Sequence, residues 1–173
     1  MVQNVFVMLD VSGSIAKHAE RIGEINDLMR SVFETLESAA SMREGLFVRV
    51  VTFSDKVKEI VPESDWFWYD LTPDAFGGVT FLAPAYAHIA QSVKKNGLDM
   101  AQTLIVLVTD GMPVDDYGEE ERGFDPDNVS LRLYYGLGRK ESTLASIHTN
   151  QVSAQNCHTL ADLTFRIEKM LGC

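Results

Sequence analysis

Apolar and polar positions along this chain alternate in blocks of two different periods. Gln3 to Leu9 (Gln-Asn-Val-Phe-Val-Met-Leu) is a short apolar run that predicts a strand. Beyond it, Ile22, Ile25, Met29, Val32, Phe33 and Leu36 recur at helical spacing, with Glu20, Glu24, Asp27, Arg30 and Glu34 mostly between them. That pattern predicts an amphipathic helix over residues 17–39. Leu46 to Phe53 is rich in β-branched and aromatic residues and reads as a strand. Val57 to Val61 follows after the Ser54-Asp55 turn, a connection so short that only an antiparallel hairpin fits, and its lysines suit a protected sheet edge.

Residues 62–79 form a long connection containing Trp66-Phe67-Trp68-Tyr69 and Gly77-Gly78. A helix is predicted from Leu82 to Asn96, with Pro84 in its first turn and Asn96-Gly97 as its stop. Thr103 to Thr109 is apolar without interruption, as a central parallel strand covered on both faces should be. Ser130 to Leu137 is a further strand, and Leu160, Leu163, Ile167, Met170 and Leu171 mark a C-terminal helix. Residues 111–129, with Gly118, Gly123 and Pro126, predict a short helix at most, and Gln151 to Cys157 is too polar to predict a sixth strand with any force. Strands alternating with helices give the fold class: α/β, a Rossmann-like open, mostly parallel sheet with one antiparallel edge strand and helices on both faces.

The 173 residues suit a single domain spanning 1–173, able to bury roughly 70% of its unfolded surface. A composition 46% hydrophobic and 23% charged is that of an ordinary globular chain. No apolar run approaches the roughly 20 residues that cross a bilayer, and the first apolar run ends at Asp10 with no basic segment before it. A cytoplasmic location without membrane insertion is the expectation. Cys157 and Cys173 form no disulfide framework, and no Cys/His spacing matches a zinc site. The formal charge of -10 repels phosphate backbones, which argues against nucleic acid and for cations or basic surfaces.

Candidate chemistry lies where the apolar runs stop. Asp10-Val11-Ser12-Gly13-Ser14 leaves the first strand at its carboxyl end, where open α/β sheets form ligand crevices. One carboxylate and two hydroxyls on five residues make a set of hard oxygen ligands, suited to Mg2+ or Mn2+ if other loops add more. Two do. Thr80 stands in Gly77-Gly78-Val79-Thr80 just before a helix, and Asp110 ends the most apolar strand, where its charge must be balanced by hydrogen bonds or a cation.

These loops resemble the von Willebrand factor A domains, whose metal-ion-dependent adhesion site draws Asp-x-Ser-x-Ser, a Thr and an Asp from three loops. The resemblance runs over residues 2–171 and rests on Asp10-Val11-Ser12-Gly13-Ser14, Val51-Thr52-Phe53-Ser54, Gly77-Gly78-Val79-Thr80-Phe81-Leu82, Val108-Thr109-Asp110-Gly111 and Gly136-Leu137-Gly138. It implies that Ser12, Ser14 and Thr80 offer hydroxyl oxygens to the metal, and that Asp10 and Asp110 bind it directly or through water. Mg2+ is the implied ion, with Mn2+ and Ca2+ as alternatives. The implied function is a non-enzymatic binding module whose metal takes an Asp or Glu of a partner protein. The compact size and Val51-Thr52-Phe53-Ser54-Asp55 are similar to the bacterial tellurite-resistance TerY-like group. That likeness implies stress signalling or complex assembly, with a kinase, a phosphatase or an AAA+ ATPase as the partner classes.

Two other readings stand beside it. A metal-dependent phosphatase could use Asp10 as nucleophile, but the acid/base Asp expected two residues on is Ser12 here. Neither a Gly-x-x-x-x-Gly-Lys loop nor a Gly-x-Ser-x-Gly elbow is present. A metal-independent scaffold is the third. The aromatic run 66–69 is split between core packing and partner contact, and Asp115-Asp116 with Glu119-Glu120-Glu121 reads as a solvated run. His18, His88, His148 and His158 lack ligand spacing and suit surface or capping roles, His18 being the one beside the metal loop.

Overall fold

The computed structural model describes residues 1–42, 44–61, 71–110, 114, 131–137 and 154–172. Six strands form one sheet: β1 (Asn4–Asp10), β2 (Phe47–Phe53), β3 (Val57–Ile60), β4 (Thr103–Thr109), β5 (Leu131–Gly136) and β6 (Ala154–Cys157). Their order across the sheet is β3-β2-β1-β4-β5-β6. All neighbours are parallel except β2 and β3, whose hairpin pairs Val50 with Ile60 and Phe53 with Val57. The expected mostly parallel sheet with an antiparallel edge is therefore present.

The α-helices among the described residues are α1 (Gly13–Ala16), α2 (Ala19–Met42), α3 (Ala83–Lys95) and α4 (Leu160–Leu171). Side chains alternate across the strands and so feed two cores. Val5, Val7 and Leu9 of β1 join Leu104, Val106 and Val108 of β4 under α2 and α4. Phe6, Met8, Ile105 and Leu107 face the other way, under Tyr86, Ile89 and Val93 of α3. Every residue of β1 and β4 is buried, which explains why their apolar runs lack a polar face.

Two boundaries differ from the sequence reading. The predicted helix over 17–39 is observed as one continuous helix, Ala19–Met42, and a separate four-residue α1, with Ser12 at its N-cap and not predicted, precedes it across Lys17-His18. The reading doubted a strand at 151–157, yet β6 pairs in parallel with β5, Tyr135 opposite Cys157. An edge strand is held by backbone bonds to one neighbour, so a polar sequence does not forbid it. Residues 66–69, Asp115, Asp116, Glu119–Glu121, His148 and Cys173 lie outside the described residues, as does all of 111–129 but Val114. Among the described residues, no helix is long and apolar enough to cross a membrane.

Candidate functional site

Because β1 lies between β2 and β4, the chain leaving its carboxyl end meets loops from both sides. Backbone bonds join them. Val11 N donates to Phe53 O (2.9 Å), Gly77 N to Val11 O (2.9 Å), and Gly13 N to Gly78 O (3.1 Å). Phe81 N donates to Ser54 O (3.1 Å) and Val114 N to Thr80 O (3.0 Å). Gly78 adopts φ +72°, a left-handed conformation that glycine takes without strain.

Asp10 is the most enclosed of the expected residues, at 0% exposure. Its Oδ1 accepts the Ser12 amide at 2.8 Å. Its Oδ2 accepts the Thr109 hydroxyl at 2.6 Å and the Thr80 hydroxyl at 3.5 Å. Burial pushes its carboxyl above the ordinary value of 3.8; the Thr109 and Ser12 bonds oppose the rise, and the Asp110 charge adds to it. Ser12 and Ser14 share a hydrogen bond between hydroxyls 3.1 Å apart, and Ser14 donates onward to Asp110 Oδ1 at 3.0 Å. All five expected residues thus lie on one connected string from Thr80 to Asp110. Ser14 is exposed while Asp10, Ser12, Thr80 and Asp110 are buried, so the string meets solvent at Ser14.

Two members of the site were not anticipated. Thr109 was quoted within a motif but given no role; the register Leu9↔Val108 sets it beside Asp10, a placement legible only once β1 and β4 are known to pair. Arg21 lies within the helix expected over 17–39 and carried no expected role. Its guanidinium Nη1 forms an ion pair with Asp110 Oδ2, at 18% and 1% side-chain exposure. No local motif signals this, since the partners are 89 residues apart in sequence.

The donor set is two carboxylates and three hydroxyls. Among the described residues, no three His, Cys, Asp or Glu side chains gather as a metal cluster. Oxygen donors of this kind suit Mg2+, Mn2+ or Ca2+. His18, by contrast, contacts Glu20 at 3.5 Å, and His88 contacts Glu59 at 2.6 Å.

No family model matches the chain, and no curated protein matches it. Solved structures do. An aerotolerance-related membrane protein from Bacteroides fragilis aligns with TM-score 0.70 at 15% identity, covering 99% of each chain. A von Willebrand factor type A protein from Catenulispora acidiphila aligns with TM-score 0.67 at 16% identity, over 98% of this chain and 42% of its own. Proximal thread matrix protein 1 of the mussel byssus, solved with a zinc-occupied MIDAS motif, aligns with TM-score 0.66 at 18% identity, over 100% of this chain and 48% of its own. The chain thus spans less than half the length of the latter two. With its sheet order, strand-end loops and these alignments taken together, the chain has the fold of the von Willebrand factor A domains.

Proposed function

We propose that the chain is a metal-dependent protein-binding module. In this reading Asp10, Ser12, Ser14, Thr80 and Asp110 hold a divalent ion, Mg2+ first and Mn2+ or Ca2+ as alternatives. One observation carries it: two buried carboxylates joined through hydroxyls at the carboxyl end of a parallel sheet. Two carboxylates buried side by side remain costly even with these hydrogen bonds and the Arg21 pair, because their like charges repel, and a divalent ion would offset that cost. The zinc-occupied MIDAS of the mussel protein supports a divalent ion at a site on this fold.

The bound ion would supply an electrophilic position for the carboxylate of a partner's Asp or Glu. The chain's residues set the terms. Asp10 is fixed by the Ser12 amide and Thr109, so it is oriented before any ion arrives. Ser12, Ser14 and Thr80 offer neutral oxygens, which leave more of the ion's charge for the partner than carboxylates would. Ser14, the exposed member, stands where the partner approaches. Ser12 fills the position where a phosphatase of this plan needs an acid. The likeness of Val51-Thr52-Phe53-Ser54-Asp55 to the TerY-like group supports a role in bacterial stress signalling or complex assembly, with a kinase, a phosphatase or an AAA+ ATPase as partner.

Calorimetric titration of Mg2+ and Mn2+ into the protein tests the site, and binding should vanish in Asp10→Ala. Partner capture from lysate in Mg2+ and in EDTA tests the use. Capture that survives both EDTA and Asp10→Ala identifies a metal-independent scaffold instead. Mg2+-dependent release of phosphate from generic phosphoesters, lost in Asp10→Ala, would identify a hydrolase.

A further inference from the structure

Arg21 has a place in this site that the metal-binding reading alone does not explain. It sits in the first turn of α2, and its guanidinium reaches one oxygen of Asp110 while Ser14 donates to the other. Both members of the pair are largely enclosed, so solvent screens them weakly. An arginine guanidinium is a cation in proteins. Arg21 is therefore a positive charge on one of the two carboxylates proposed to hold the ion. A divalent ion and a guanidinium that draw on the same carboxylate repel each other.

We infer that Arg21 is a built-in competitor for the metal, an affinity-setting residue that weakens the ion's hold on Asp110. This inference rests on the metal-binding reading of the same site. Two consequences follow from charge alone. Without the ion, Arg21 compensates Asp110 and so supports the empty fold. With the ion, two carboxylates, the guanidinium and a divalent cation leave a net positive site, which favours an acidic partner over a neutral one. Arg21 thus trades affinity for metal against attraction for the partner's carboxylate.

The test is Mn2+ affinity by calorimetry at low salt for wild type, Arg21→Gln, Arg21→Lys and Asp10→Asn. Removing the charge should tighten the Mn2+ Kd by about tenfold or more. Arg21→Lys, which keeps the charge, should stay near wild type. Melting in EDTA and in saturating Mn2+ gives a second readout. Arg21→Gln should melt below wild type in EDTA, and the gap should close or reverse in Mn2+, a crossover that a purely structural role does not produce. If the Gln variant fails to fold by circular dichroism, Arg21→Met keeps the side-chain stem without the charge and takes its place. Equal or weaker Mn2+ binding by the charge-free variant, with wild-type binding lost in Asp10→Asn, overturns this inference and leaves the metal site standing. No Mn2+ uptake by wild type or by the charge-free variant overturns both.

Discussion

Gly78→Ala probes the junction between two of the donor loops. Gly78 adopts φ +72°, and its carbonyl accepts the Gly13 amide at 3.1 Å. An alanine there meets two penalties. The left-handed backbone costs an L-residue roughly 1–2 kcal/mol. A Cβ would also stand 2.2 Å from Asp55 Oδ1 and 2.6 Å from Asp55 Cγ, so the Asp55 side chain must swing away. That movement breaks its 3.1 Å bond from the Ser54 hydroxyl, a loss of about 0.5–1.5 kcal/mol. The expected total is about 1.5–3.5 kcal/mol, or about 3–14 °C in melting temperature for a domain of this size. Urea melts of wild type, Gly78→Ala, Asp55→Ala and the double variant form a cycle. In the Asp55→Ala background the glycine substitution should cost only the backbone share, with a coupling of about 0.5–1.5 kcal/mol. A Gly78→Ala protein within about 0.5 kcal/mol of wild type would refute the positive-φ argument, and equal costs in both backgrounds would refute the Asp55 contact.

Asp10→Asn removes a charge from a fully buried position whose carboxyl is raised by burial, and it should stabilise the metal-free protein by about 0.5–2 kcal/mol in EDTA urea melts. A destabilised variant would mean that the bonds from Ser12, Thr109 and Thr80 outweigh desolvation. Tyr135 donates to Glu24 Oε1 at 3.2 Å, and burial, with the Glu24 charge behind it, pushes its ionisation up to about 12 from 10.0. Its folded value lies above the unfolded one, so its contribution to stability is complete below pH 10 and lost as pH rises through about 12. In absorbance at 295 nm, the part of the late tyrosine titration that is absent in Tyr135→Phe should move down in Glu24→Gln; unchanged titration counts against the pair. Burial, reinforced by Asp162 and opposed by Arg166, pushes the Cys157 thiol up to about 12. Iodoacetamide at pH 8 should leave Cys157 unlabelled in the native protein and label it in urea, as read by peptide mass spectrometry; equal rates would refute its protection.

The sheet was legible where burial on both faces leaves a continuous apolar run, as in Thr103 to Thr109, whose seven residues are all buried. It was not legible at Ala154–Cys157, because backbone pairing with β5 holds an edge strand that composition does not advertise. The separate α1 before Lys17-His18 was missed for a related reason: helical periodicity begins at Ile22 and says nothing of how the chain enters the helix. Of the five expected site residues, Asp10, Ser12 and Asp110 stand at or just beyond strand ends, Ser14 lies in the short α1 and Thr80 in the loop before α3, and motif spacing was enough to single them out as candidates. Arg21 and Thr109 escaped because their roles are defined by a partner on another element, Asp110 for one and Asp10 for the other. Charge complementarity across 89 residues leaves no periodic trace in a sequence.

The backbone bonds that join the strand-end loops have a consequence for how such a domain can diverge. Val11 N to Phe53 O, Gly77 N to Val11 O, Gly13 N to Gly78 O, Phe81 N to Ser54 O and Val114 N to Thr80 O use no side-chain atom of the donor set. The shape of the crevice and the chemistry inside it are therefore inherited separately. A descendant that exchanges Asp10 or Thr80 for other residues keeps the same loop scaffold and can present a different set of groups on it. One that loses Gly78 keeps every oxygen and loses the arrangement that made them a set.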